Sequence, residues 1–244
     1  MKIIPVLDLK DGQVVRGVAG RREEYRPIVS TLTRSSAPGV VAEAFREYFG
    51  FQELYLADLD AIAGGPPVTA TYEELRSLGL ALWVDAGLRV SESLGPLLDA
   101  GIETIVAGLE TVAGLAVLSE LLEAIGPKRL VFSLDLREGK PVVSSSWNST
   151  DAWAIVSIAI ELGLRRVLVL DLARVGVRSG TGTELLCRRL VKEYSGVEVS
   201  SGGGVRDFED LQRLRDCGLH SVLVASALHD GRLHPADLAE FLSR

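Results

Sequence analysis

Val6-Leu7-Asp8-Leu9-Lys10-Asp11-Gly12, near the start of the chain, returns as Ser133-Leu134-Asp135-Leu136-Arg137-Glu138-Gly139. Each is an apolar run ending in a carboxylate, followed by a charged pair and a glycine. The match divides the 244 residues into two related halves, about 1–126 and 127–244. It also sets Asp8 and Asp135 at equivalent strand ends, where two carboxylates can supply the acid and the base of one reaction.

The similarity continues outward from these strings. Asp58-Leu59-Asp60-Ala61 resembles Asp171-Leu172-Ala173-Arg174, and Gly87-Leu88-Arg89 aligns with Gly204-Val205-Arg206. Short runs rich in Val, Ile and Leu lie at 3–7, 53–57, 81–84, 104–107, 130–134, 166–170, 198–200 and 221–224. Such near-continuous apolar runs suit a parallel sheet covered on both faces. Amphipathic helix patterns lie between them, at 39–49, 70–78, 92–98, 114–124, 151–162, 183–194, 207–217 and 235–242. Gly79, Gly101, Gly126, Gly163 and Gly218 follow five of them, as helix C-terminal signals do. Eight strand–helix units predict an α/β fold, a single (β/α)8 TIM barrel over 1–244 made of two duplicated half-barrels. A doubly wound open sheet is the runner-up, and it does not account for strands one to four matching strands five to eight.

Composition narrows the function. The chain is 47% hydrophobic, enough for one large core, and its formal net charge of -7 argues against general nucleic-acid binding. The two cysteines, Cys187 and Cys217, lack metal-ligand spacing and read as buried small residues. His220, His229 and His234 read as surface or structural groups rather than metal ligands. No leader and no apolar stretch of membrane-spanning length is evident, so a soluble cytoplasmic protein is expected.

Barrel active sites gather at the C-terminal ends of the strands. Asp8, Asp58, Asp135 and Asp171 all fall there. Asp8 and Asp135 form the expected catalytic pair, whereas Asp58 and Asp171 either meet the substrate or accept backbone N–H bonds as caps. The string Ser201-Gly202-Gly203-Gly204 after strand seven, with Ala225 and Ser226 after strand eight, has the makings of a phosphate cradle. Glycines let backbone N–H groups approach an anion with no Cβ in the way. The equivalent first-half string is Asp85-Ala86-Gly87, where a carboxylate would repel a phosphate. Gly108 and Thr111 remain as candidate donors there, and Arg89 is either a compensating charge or a surface residue. Trp147 either stacks on a planar substrate ring or packs as a lid. Arg16 either reaches an anionic substrate or is solvated.

Together these residues resemble the HisA/HisF family, and 4–16, Ile4-Pro5-Val6-Leu7-Asp8-Leu9-Lys10-Asp11-Gly12-Gln13-Val14-Val15-Arg16, is similar to the start of its HisA isomerases. The resemblance implies a barrel of two half-barrels and an Amadori rearrangement of an N-linked phosphoribosyl aldose to the ketose, a step of histidine biosynthesis. It implies Asp8 as general base, Asp135 as general acid, a substrate-facing Trp147, a phosphate site at Gly203, Gly204 and the strand-eight loop, and no metal or redox cofactor. Three strings depart from the family pattern. Asp85-Ala86-Gly87-Leu88-Arg89 stands for Gly-Gly-Gly-Ile-Arg, and Leu170-Asp171-Leu172 with Val175-Gly176-Val177 stands for Thr-Asp-Ile with Asp-Gly-Thr. Ala225-Ser226 stands for Gly and a basic residue. The chain is also similar to a divergent HisA-like group associated with one-carbon metabolism, which implies a different, monophosphorylated substrate. A barrel that binds a phosphorylated metabolite without turnover is the reading from another class.

Overall fold

The computed structural model describes residues 1–144, 146–147 and 149–243. Eight parallel strands close into a barrel: β1 Lys2–Lys10, β2 Glu53–Asp58, β3 Ala81–Asp85, β4 Thr104–Gly108, β5 Leu130–Arg137, β6 Arg166–Asp171, β7 Glu198–Gly202 and β8 Ser221–Val224. Each pairs with its neighbour in chain order, and β8 returns to β1 with Lys2 opposite Ser221 and Ile4 opposite Leu223. That closing pairing leaves no open edge in the barrel, so the doubly wound alternative is ruled out.

Helices follow the strands: α1 Pro38–Phe49, α2 Thr69–Ser77, α3 Gly95–Asp99, α4 Leu115–Ile125, α5 Ala152–Glu161, α6 Glu184–Glu193, α7 Phe208–Asp216 and α8 Pro235–Ser243. The pattern at 92–98 predicts one helix. The chain instead forms a 3-10 turn, Ser91–Leu94, before α3, because Gly95-Pro96 restarts the helix with a proline in its first turn.

The strand period of two sorts every side chain into one of two cores. Ile4, Tyr55, Trp83, Val106, Val131, Leu168 and Leu223 point into the barrel. Leu7, Leu9, Leu56, Leu82, Leu134 and Val169 point out, under the helices, with Phe45, Leu118 and Leu190 from the helix layer. Each such fully buried side chain stabilises the fold by about 1.5–3 kcal/mol. Cys187 and Cys217 are free and buried in this outer layer, as their composition suggested.

The two Leu-Asp-Leu strings have a common shape that the strand pattern alone does not reveal. β1 turns back through Asp11-Gly12 onto the short strand Gln13–Arg16, and β5 turns back through Glu138-Gly139 onto Lys140–Pro141. Both central residues have positive φ in each turn, 50° and 71° in the first and 53° and 77° in the second. This is the tight primed hairpin that a glycine at the second position permits. No described helix is long and apolar enough to cross a membrane.

Candidate active site

Side-chain parity decides which strand-end carboxylates reach the interior. Asp8 is in step with Ile4 and Val6, and Asp135 with Val131 and Ser133, so both face the barrel. Both line a cavity of about 120 Å³ at the C-terminal mouth. Asp85 is in step with Trp83 and joins them there. Asp58 and Asp171 fall on the opposite parity and do not line the cavity.

Of the two roles open to Asp58 and Asp171, the structure gives them the cap. Asp58 is fully buried and accepts from the N–H of Ala61 at 3.0 Å, the N–H of Val68 at 3.0 Å and the hydroxyl of Tyr72. Asp171 caps the turn after β6 through the N–H of Ala173 and holds the second hairpin through the N–H groups of Glu138, at 3.0 Å, and Gly139, at 2.9 Å. Buried carboxylates are satisfied by such bonds, and here the bonds fix the loops after β2 and β6.

Trp147 is likewise turned away. Its ring packs 5.9 Å from that of Phe132, on the outer face of β5, and its Nε1 donates to the carbonyl of Val112 at 3.0 Å. It does not line the cavity, so stacking on a substrate is replaced by packing. Its loop neighbours Ser145 and Asn148 lie outside the described residues.

The phosphate-cradle string divides in the same way. Ser201 is fully buried, with its hydroxyl bonded to the carbonyl of Val169 and the hydroxyl of Thr183. A Cβ at Gly202 would lie 2.6 Å from that of Leu223, so this glycine serves strand packing. Gly203, Gly204, Ala225 and Ser226 do line the cavity. The N–H of Gly204 has no hydrogen-bond partner among the described residues.

Arg16 lines the cavity at this same end, half-buried and not alone. It pairs with Asp230, which also holds Arg178 at 3.0 Å and Arg232 at 3.2 Å. Arg232 further donates to the hydroxyl of Ser226 at 3.2 Å. Burial pushes the Asp230 carboxyl up, but the bond and charge of Arg16, with the charges of Arg232 and Arg178, together outweigh it and hold the group below its ordinary range. No local pattern points to this cluster, whose members are up to 216 residues apart.

At the opposite end the environment is acidic. Asp85 accepts from the N–H of Gly87 at 3.0 Å and from the hydroxyl of Tyr55 at 3.4 Å. Glu110, on the loop after β4, lines the cavity and pairs with Arg22 of the first loop. Arg89 donates to the carbonyls of Gly87 and Ile62, and the Thr111 hydroxyl donates to the Gly108 carbonyl at 3.2 Å, so these residues brace the loops. Among the described residues no three His, Cys, Asp or Glu side chains gather in a way that could hold a metal ion.

Two loops close over the mouth. The N–H of Ala19 donates to the carbonyl of Val175 at 2.8 Å, and a Cβ at Gly176 would fall 1.9 Å from the carbonyl oxygen of Gly17. Only glycine permits that approach. Val175 and Leu170 contribute apolar wall, as their sequence suggested, and Tyr25 and His229 complete the lining. His229 is buried, with Nδ1 3.0 Å from the hydroxyl of Ser30, and burial lowers its pKa to about 4.

This enclosure separates the two central carboxyls. Burial raises Asp8 to about 6, with the charge of Arg22 opposing. Burial, then Glu110 and Asp85, raise Asp135 to about 8, against the hydroxyl of Ser133 at 2.7 Å. Between those values one carboxyl is ionised and the other protonated, as a base and an acid working together require. Such coupled groups titrate as a set.

The chain matches the histidine biosynthesis protein family over residues 2–234. It is 33% identical over 247 residues to an uncharacterized protein of Methanocaldococcus jannaschii, covering 100% of this chain and 99% of the relative. It is 32% identical over 240 residues to a Thermus thermophilus protein, covering 96% of each, and 29% identical over 245 residues to one from Syntrophomonas wolfei, covering 97% and 96%. The last two are named as imidazole-4-carboxamide isomerases, and the substrate in that name carries two 5-phosphoribosyl groups. The chain belongs to the histidine biosynthesis protein family.

Proposed function

We propose that this member of the family is an acid–base aldose–ketose isomerase whose sugar substrate carries one phosphate. Asp8 takes the proton from the carbon beside the aldose-derived C=N bond, and Asp135 delivers a proton at the other end of the rearranging unit. The electron pair released from the C–H bond forms the C1=C2 bond while the C=N pair takes up the proton at nitrogen, giving an enaminol; loss of its hydroxyl proton and protonation at C1 then give the ketose isomer with no change of overall oxidation state. The acid–base split between the two carboxyls supports the reaction class.

One observation carries the substrate class: the contrast between Gly87 and Gly204. The N–H of Gly87 is taken by the carboxylate of Asp85 at 3.0 Å, whereas that of Gly204 has no partner among the described residues. An anionic side chain thus occupies the first-half position that would otherwise receive an anion, and the second-half position stays open. Arg16 and Ser226 line the same cavity, and the Ser226 hydroxyl accepts from Arg232 at 3.2 Å. The phosphate sits at Gly203, Gly204 and Ser226, and the reacting carbons extend from there toward Asp8 and Asp135.

The relatives' names favour a second reading, a phosphoribosyl imidazole substrate with two phosphates in the histidine pathway. Complementation separates the two. A strain lacking the histidine-pathway isomerase should not grow when this chain is supplied as soluble protein, and rescue would restore the second reading. In an assay on mono- and bisphosphorylated aminoaldoses, Asp8→Asn and Asp135→Asn should each lower kcat by about 10²–10⁴-fold with the melting temperature kept. Wild-type rates in both variants would remove the assignment of base and acid.

A further inference from the structure

Asp230 and Arg232 stand two residues apart in the loop after β8, just beyond the short helical turn Ser226–His229. Gly231 between them has a φ of 65°, a left-handed turn that suits glycine. Nη1 of Arg232 donates to the carbonyl of Arg206 at 2.6 Å, and its Nη2 donates to the hydroxyl of Ser226 at 3.2 Å. Arg206 lies two residues past Gly204, and Ser226 lines the cavity together with Gly204. One guanidinium therefore ties the loop after β7 to the loop after β8, the two that carry the open cradle.

Asp230 holds that guanidinium in turn, accepting from Nη2 of Arg232 at 3.2 Å. The same carboxylate accepts from both Nη atoms of Arg16, at the end of the strand Gln13–Arg16, and from Nη2 of Arg178, in the loop after β6, at 3.0 Å. A lone exposed ion pair holds little. This carboxylate is only 16% exposed and is bonded to three guanidiniums, two of them about three-quarters buried. Three cations against one anion leave an excess of two positive charges, equal and opposite to a phosphate dianion.

We propose that Asp230 is a positioning residue for the substrate phosphate: it fixes Arg232, and through it the loops after β7 and β8, and it holds Arg16 at the cavity wall. The proposal rests on the monophosphate reading above. Guanidiniums gathered with no carboxylate among them repel one another, and long side chains free to move must be ordered when an anion binds. With Asp230 in place they are ordered before the anion arrives. Positioning and charge then act with opposite sign. On charge alone, removing a carboxylate near a phosphate site strengthens phosphate binding. If Asp230 orders the cradle, its removal weakens binding although the net charge becomes more favourable. The backbone here is held without the Asp230 side chain. The N–H of Asp230 donates to the carbonyl of Ser226 at 2.9 Å, and that of Thr31 in the first loop donates to the carbonyl of His229 at 2.8 Å.

The test is a titration of the intact, nitrogen-15-labelled chain with inorganic phosphate, followed at the amides of Gly204 and Ser226. Asp230→Asn should raise the Kd by about tenfold or more, the factor that one charge-assisted hydrogen bond carries, with the melting temperature close to wild type. Asp230→Glu restores the carboxylate and should recover part of the loss. Arg232→Lys keeps the charge but not the fork that spans three acceptors, and it should weaken binding to a similar degree. A Kd unchanged or lowered in folded Asp230→Asn would overturn the proposal. If Asp230→Asn does not fold, an unchanged Kd in Arg232→Lys would overturn it. The phosphate reading fails separately. No phosphate-induced shift at Gly204 and Ser226 in the wild-type chain would sink that reading, and the role of Asp230 with it. Binding there with a Kd unmoved by the variants would sink the role alone.

Discussion

The two ends of the cavity treat the same backbone position in opposite ways. At the end of β3, the carboxylate of Asp85 turns back onto the N–H of Gly87. At the end of β7, Gly204 stands in the equivalent place and keeps its N–H free among the described residues. One end has taken an anion into the chain, and the other is open to one from solution. A strand-to-helix loop therefore becomes an anion site only if its donors are left unpaired and no carboxylate reaches them.

Making the open end resemble the closed one should have the largest effect. Ser226→Asp places a carboxylate in the cradle, where repulsion of a phosphate amounts to about 2–4 kcal/mol at an intermediate dielectric. The kcat/KM for a phosphorylated aldose should fall by about 30–1000-fold, while circular dichroism and the melting temperature stay close to wild type. An unchanged kcat/KM would mean that the phosphate lies elsewhere.

The acidic end should show itself in stability against pH. The folded-state pKa of Asp135, about 8, lies above the value near 4 expected when unfolded. The folded state thus binds this proton more tightly. The stability it contributes is full below about pH 4 and is lost as pH rises toward 8. Asp135→Asn removes the titrating group, so at pH 9 the variant should be more stable than wild type by about 1–3 kcal/mol, with the difference vanishing near pH 4. Denaturant unfolding at both pH values checks this, and equal stabilities at pH 9 would show that Asp135 is not held protonated.

The smallest effect is expected from opening the closed end. Asp85→Ala frees the N–H of Gly87 and removes one charge from beside Asp135. A second, weaker phosphate site with millimolar affinity should appear, visible as new chemical-shift changes at Gly87. No change there would show that Asp85 is not what blocks the anion.

Much of this was legible in the chain. The eight apolar runs and the matching strings led to the closed barrel, and they placed Asp8 and Asp135 at the mouth. The fate of Asp58 and Asp171 was also within reach. Counting in twos from Tyr55 to Ala57 and from Leu168 to Leu170 puts both aspartates on the outward parity. The Asp-Gly and Glu-Gly pairs likewise carry the hairpin signature. The Arg22–Glu110 and Arg16–Asp230 pairs were beyond reach, because each joins loops far apart in sequence by long side chains without a local pattern. The choice between stacking and packing at Trp147 was beyond reach too, because a polar loop hides the apolar Phe132 face that it covers.

The central claim is that the mouth holds one anion cradle and not two. Soaking crystals of the intact chain with inorganic phosphate and locating the anion tests it most directly. One phosphate should appear, on the N–H of Gly204 beside Ser226, with Asp85 still bonded to Gly87. A phosphate on Gly87, with Asp85 swung aside, would contradict the account.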